Sequence, residues 1–233
     1  MSVSGRDVRS IRFSMRCAVS RSELPVRGWS INVRSRETLT AGSVAMGREY
    51  RARGIGGTYP DSMESVDVVI RSVDAKDVHD PQKLATIWVR SIDLRDGCAE
   101  PTRVSPAVDG IRRRIELDDA RALVAECAGD IVGFVLCAVQ GDVLEIFYLA
   151  VDPEMWGRGI ATCLLHAVDA HAGSVGCDTC ELWVIDDNER AVGVYEGAGW
   201  LRTDITQMDA ASGRLERRLF HRTTDSRGHV RSR

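Results

Sequence analysis

The chain has 233 residues, enough for one domain with extensions, and a net charge of −3. Residues 1–62 carry eleven Arg and no Lys against five acids, a balance of +6, which leaves −9 on the remainder. An acidic main body argues against nucleic acid as a partner. The apolar runs fall short of the ~20 residues that span a bilayer, and the N-terminus lacks the apolar core of a secretory signal.

Residues 1–62 are rich in Arg, Ser and Gly and show no sustained periodicity, although Trp29–Val33 could extend. The stretch reads as a basic, disordered arm or as the product of too early a start codon, in preference to an Arg-rich targeting presequence. Met63 stands just ahead of the first strand, Val68–Val73. Asp77 or Asp80 caps a first helix over 81–92, with Pro81 in its first turn. Residues 95–105 form a loop. A second helix over 108–117 turns Ile111 and Ile115 inward and Arg112, Arg113 and Arg114 toward solvent. Ala122–Ala128 and Ile131–Val139 are strands joined at Gly129-Asp130.

The fourth strand, Val143–Val151, is apolar on both sides and therefore central. Simple alternation puts Val143, Glu145, Phe147, Leu149 and Val151 on one face and Leu144, Ile146, Tyr148 and Ala150 on the other. Asp152-Pro153 stops it, Gly157-Arg158-Gly159 turns the backbone, and a helix follows to about Ala172. Gly173–Gly176 is a loop. A helix that opens on glycines points unpaired N–H groups and its dipole at whatever lies ahead, which suits an anion such as a pyrophosphate. The fifth strand, Cys180–Ile185, must run parallel to the fourth because a helix crosses between them. Asp186 or Asp187 caps a helix over 188–198, ended by Gly199. Residues 201–208 and 214–220 make a last hairpin, and the tail 223–233 reads as disordered. His166 falls on the polar face of its helix.

Seven cysteines are scattered through these elements. Cys177-Asp-Thr-Cys180 has metal-ligand spacing, yet no second pair completes a zinc site, so a metal is not expected. Buried thiols in a reducing cytoplasm are the simpler reading.

Three segments, in this order and at this spacing, resemble the GCN5-related N-acetyltransferase (GNAT) superfamily: Leu149-Ala-Val-Asp-Pro153, Trp156-Gly-Arg-Gly-Ile-Ala161, and Asn188-x-x-Ala191-x-x-x-Tyr195-x-x-x-Gly199-Trp200. The resemblance covers roughly 68–222. It implies an α/β (α+β) fold, a mixed and mostly antiparallel sheet with helices on both faces, whose parallel fourth and fifth strands splay apart at the cofactor site. It implies three regions: an extension over 1–62, an N-acetyltransferase domain over 67–222 and the tail. The implied activity is acetyl transfer from acetyl-CoA to a primary amine by direct attack in a ternary complex. No cysteine stands where a nucleophile would.

By the same resemblance, backbone groups of Leu149, Ala150 and Val151 bind the pantetheine arm. Trp156, Gly157, Arg158, Gly159, Ile160, Ala161 and Thr162 form the pyrophosphate turn, and Asn188 bonds the arm. Tyr195 is the candidate acid, with a core tyrosine as the alternative. Glu145 is the candidate base, its pKa raised by desolvation in an apolar strand; a water-ordering or merely exposed acid is the alternative. Trp156 departs from the Arg or Gln that usually opens the turn, which keeps a non-catalytic acyl-CoA-binding or regulatory module in view. A P-loop nucleotide site is excluded, since no Gly-Lys-Ser/Thr follows the glycines. The acceptor's identity and the oligomeric state are not legible.

Overall fold

The computed structural model describes residues 29–35, 48–54, 68–75, 78 and 81–223. Among these, nine strands form one sheet in the order β1-β2-β3-β4-β5-β6-β7-β9-β8. They are β1 (Trp29–Ser35), β2 (Arg48–Gly54), β3 (Val68–Asp74), β4 (Arg121–Cys127), β5 (Asp130–Gln140), β6 (Val143–Val151), β7 (Thr179–Ile185), β8 (Leu201–Met208) and β9 (Leu215–Arg222). All neighbours are antiparallel except β6 and β7. The helices are α1 (Pro81–Asp96), α2 (Ser105–Ile115), α3 (Ile160–Val175) and α4 (Glu189–Gly197). The fold is the mixed GNAT α/β sheet expected; β3 to β9 are the seven strands read from the sequence.

The strands β1 and β2 lie inside the stretch read as disordered. They pair with each other along seven residues, and β2 meets β3 through Tyr50–Ala52. The rest of 1–62, the expected caps Asp77 and Asp80, and 224–233 lie outside the described residues.

The helices divide the core into two halves. Leu84, Ile87, Trp88 and Ile92 of α1 and Val108 and Ile111 of α2 pack with Phe134, Leu136, Phe147, Tyr148 and Ala150 on one face of the sheet. Leu164, Leu165 and Val168 of α3 and Ala191, Val192 and Tyr195 of α4 pack with Leu144, Ile146, Leu149, Val151, Leu182 and Val184 on the other. Full burial of each large side chain stabilises the fold by about 1.5–3 kcal/mol.

Membership of the two halves corrects the simple alternation along β6. Leu136 lies opposite Tyr148 but Cys137 lies opposite Ile146, so Phe147 is an extra residue, a β-bulge. Before the bulge, Leu144 and Ile146 face α3; after it, Leu149 and Val151 do. Glu145 and Leu149 are therefore on opposite faces, not one.

Smaller differences have local causes. The β4–β5 turn is Ala128-Gly129, with φ of 52° and 90°, the two positive values that a two-residue hairpin requires. α3 continues to Val175 and ends at Gly176 with φ 82°. Asn188 caps α4, accepting from the Ala191 N–H at 3.3 Å, while Asp186 binds Arg217 at 2.6 and 3.0 Å and Asp187 binds Arg214.

One half-buried histidine makes the fold acid-sensitive. Burial, and secondarily Arg121, push His171 of α3 down from 6.5 to about 4. The unfolded chain then binds more protons than the folded one between those values. Stability is complete above about pH 6.5 and falls as the pH drops to 4, by on the order of 3 kcal/mol. His221 works in the opposite direction, since Asp169 at 3.4 Å raises it. Denaturant melts of wild type and His171→Gln at pH 7 and pH 4.5 check this: the variant is expected to lose much less stability on acidification, and equal losses would exclude His171.

Candidate active site

The parallel pairing of β6 with β7 runs from Val143↔Thr179 to Ile146↔Leu182 and stops there. Both strands continue, β6 to Val151 against β5 and β7 to Ile185 against β9. The strands have parted from the bulge onward. The β7-facing backbone groups of Phe147–Val151 therefore line a cleft rather than a ladder, which leaves them for a ligand or water. The side chains of Leu149, Ala150 and Val151 are buried, so what these residues can offer is main chain.

The end of β6 is held firmly. The Val151 carbonyl accepts from Ser91 Oγ of α1 at 2.8 Å and from the Trp156 indole Nε1 at 2.6 Å. Arg90 of α1 binds Asp152 at 2.6 Å and Glu154 at 2.7 Å. Trp156 thus ties the turn back to the strand, and the Arg190 guanidinium lies 5.7 Å from its ring centre. With two donors on it, the Val151 oxygen has no lone pair left to accept from a pantetheine amide; that acceptor must come from earlier in the strand.

The turn then takes left-handed conformations that favour glycine, φ 76° at Gly157 and 72° at Gly159, the residue that caps α3. The first intrahelical bond runs from Cys163 N to Gly159 O at 3.0 Å, so the N–H groups of Ile160, Ala161 and Thr162 precede it. A Cβ placed on Gly157 would meet nothing within 4 Å. Open space in front of unbonded N–H groups at a helix N-terminus fits a pyrophosphate. Arg158 is half-buried at the rim. His166, one turn further on, is exposed as expected.

Asn188 is 5% exposed and Tyr195 is fully buried. Both stand on the α3 side, with the Tyr195 ring 5.9 Å from Trp200. The Asn188 oxygen serves the helix cap. Tyr195 belongs to the same apolar cluster as Leu149, Val151 and Ile160, the residues that border the cleft and turn.

Glu145 lies on the opposite side of the sheet. It stands level with Glu181 across the last paired stretch of β6 and β7. The two carboxylates line a pocket with Leu182, Trp183 and Arg218. Arg218 of β9 binds Glu181 and lies 5.9 Å from the Trp183 ring centre. The pocket lies within the paired stretch of β6 and β7, and the turn follows the far end of β6. Sequence reasoning missed Glu181, Trp183, Arg218 and Ser91. Two had a signal: Glu181 is a lone acid in an apolar strand, like Glu145, and Ser91 interrupts the apolar stripe of α1.

Among the described residues no three His, Cys, Asp or Glu side chains gather into a metal site, and no helix is long and apolar enough to cross a membrane. Burial pushes the Cys137 thiol up to about 12 and Cys163 up to about 11. It also raises Cys180, where Asp169 adds to the effect. Such thiols are poor nucleophiles at neutral pH.

The GNAT acetyltransferase family model matches residues 89–200, the span that contains the cleft, the turn and α4. That match supports the resemblance to the GCN5-related N-acetyltransferase superfamily over this span. Solved structures share its fold. The PaiA N-acetyltransferase of Thermoplasma acidophilum, in complex with coenzyme A, is 17% identical, with 66% of this chain and 98% of that one aligned at a TM-score of 0.54. The ribosomal-protein-S18-alanine N-acetyltransferase of Escherichia coli is 19% identical over 67% and 94%, at 0.52. Ard1 of Thermoplasma volcanium is 19% identical over 67% and 97%, at 0.51. Where the resemblance leads one to expect Arg or Gln at the start of the turn, this chain has a tryptophan with its own structural use.

Proposed function

We propose that the protein is an acetyl-CoA-dependent N-acetyltransferase that acetylates a primary amine by direct attack in a ternary complex. The observation that carries this reading is the parting of β6 and β7 beyond Ile146–Leu182, immediately before the glycine turn and the start of α3. The domain of residues 67–222 is proposed to contain the whole site, with 1–62 as an extension and 223–233 as a tail. A cytoplasmic setting suits the free cysteines of the domain.

In this reading the N–H groups of Gly157, Arg158, Gly159, Ile160, Ala161 and Thr162 hold the pyrophosphate, and Trp156 fixes the turn. The parted stretch Leu149–Val151, with Asn188 opposite, holds the pantetheine arm. Bound acetyl-CoA supplies the acyl group as an activated thioester. Glu145, on the acceptor side, takes the proton that an ammonium must lose before its nitrogen can attack. A β6 backbone N–H donates to the carbonyl oxygen as charge grows there. The Tyr195 phenol gives its proton to the departing sulfur, and the second proton that the nitrogen sheds as the amide forms restores the phenol by way of solvent. Alignment of both substrates in one cleft supplies much of the rate.

Acetyl-CoA is expected to raise the melting temperature, and ATP is not, because the turn can hold pyrophosphate but lacks a P-loop lysine. At a hundred times Kd the stabilisation is about 2.7 kcal/mol. A chain starting at Met63 should show the same acetyl-CoA shift. Equal shifts with both ligands, or none with acetyl-CoA, refute the reading. The second reading, a non-catalytic acyl-CoA-binding module, is favoured by the Trp156–Val151 bond and the complete burial of Tyr195. Thioester consumption across a panel of amines separates the two and identifies the acceptor.

A further inference from the structure

Two carboxylates that line one pocket do not ordinarily both stay ionised without counter-charge; like charges in one site favour sharing a proton. Glu145 and Glu181 are level with each other on adjacent strands, which lie about 4.8 Å apart. Glu181 has its counter-charge in Arg218. The counter-charge on the Glu145 side comes from α2.

Its placement follows from a close approach. A Cβ on Gly110 would come within 2.5 Å of the Tyr148 hydroxyl. Only glycine lets α2 sit that near β6. Tyr148 is itself wedged edge-on against Trp88, with ring centres 4.9 Å apart, and beside Phe134 at 6.5 Å. Four residues after Gly110, one helical turn, the guanidinium of Arg114 lies 4.6 Å from the centre of the Phe147 ring. Phe147 is the bulge residue on the Glu145 face of β6. Arg112 and Arg113 of the same triplet are exposed. Arg114 is not: burial lowers its proton affinity, while Tyr148 and Glu145 next to it oppose that loss and Arg113 adds to it. The bulge is what brings an aromatic face under the arginine two residues from the acid.

We propose that Arg114 is a positioning residue that holds Glu145 ionised beside Glu181, so that the pocket presents a carboxylate rather than a shared proton. The role in proton transfer rests on the reading of Glu145 as the base. The charged or titratable groups that act on Arg114 are Glu145 and Tyr148 of β6 and Arg113 of its own helix, and Glu145 shares its pocket with Glu181 of β7 and Arg218 of β9.

The test uses the full chain. The Glu145 carboxyl carbon is followed by NMR against pH, its signal assigned by its loss in Glu145→Gln. In Arg114→Gln the titration midpoint should rise by about one pH unit or more, and the acid limb of the pH–rate profile should move with it. Arg114→Lys, which keeps the charge, should bring both back most of the way. If Arg114→Gln does not fold, Arg114→Met keeps the apolar cover on Phe147 and serves in its place. A folded variant with an unmoved Glu145 midpoint overturns the proposal. The base reading fails separately: Glu145→Gln with undiminished turnover removes the base, while the midpoint shift still reports the hold of Arg114 on the acid.

Discussion

Tyr195→Phe is expected to lower the turnover number by roughly 10²–10⁴-fold, the usual worth of one general acid, and to leave acetyl-CoA affinity nearly unchanged. The proposed bond from the phenol to the sulfur would strengthen only as the sulfur leaves, so it would act on the transition state and not on ground-state binding. The ring remains in the variant and keeps its packing near Trp200, 5.9 Å away. Steady-state turnover measured beside acetyl-CoA affinity decides the matter. Unchanged turnover takes Tyr195 out of the mechanism. Joint loss of affinity and stability identifies a core tyrosine, which its complete burial would also suit.

Gly157→Val is expected to weaken acetyl-CoA binding by tenfold or more. The residue has φ 76°, where a β-branched side chain costs about 1–2 kcal/mol. The new methyls would also stand in open space where the pyrophosphate is proposed to lie. The stability loss should stay near the strain alone, because nothing lies within 4 Å for the side chain to clash with. Calorimetric titration with acetyl-CoA, run beside a thermal melt, checks both parts. Unaltered affinity would mean that the pyrophosphate lies elsewhere.

The site was legible to different depths in different places. The glycine turn and the Asn188–Tyr195 helix could be read because they are local: a fixed spacing sets which groups share a face or precede a helix. The bulge at Phe147 could not. Phe147 and Tyr148 are both large and apolar, so shifting the phase by one leaves the pattern equally apolar on both sides. That shift decides which face Glu145 occupies. Arg114 was hidden for a related reason. In a triplet of arginines only the helix's seat on the sheet distinguishes the buried one, and that seat depends on Gly110 meeting Tyr148, 38 positions away in the chain. The cap of α4 was misread because Asp186 and Asp187 are good caps in isolation, and only the third dimension shows them taken by Arg217 and Arg214. β1 does alternate, through Trp29, Ile31 and Val33, but it is one short segment in a stretch without sustained periodicity, and the pairing of β2 to β3, a tertiary effect, was invisible locally.

The tryptophan that opens the turn has a practical consequence. An indole absorbs and emits light, which the arginine or glutamine usual at this position does not. Among the tryptophans with described side chains, Trp88, Trp183 and Trp200 are buried, whereas Trp156 is only partly so and stands at the start of the glycine turn. Its ring N–H is tied to the carbonyl that ends β6, and a cation rests near its face. Any anion that enters the turn changes the field and the solvent around this one ring. The protein therefore carries its own optical reporter, with no label attached, on the loop where the acyl donor is proposed to dock.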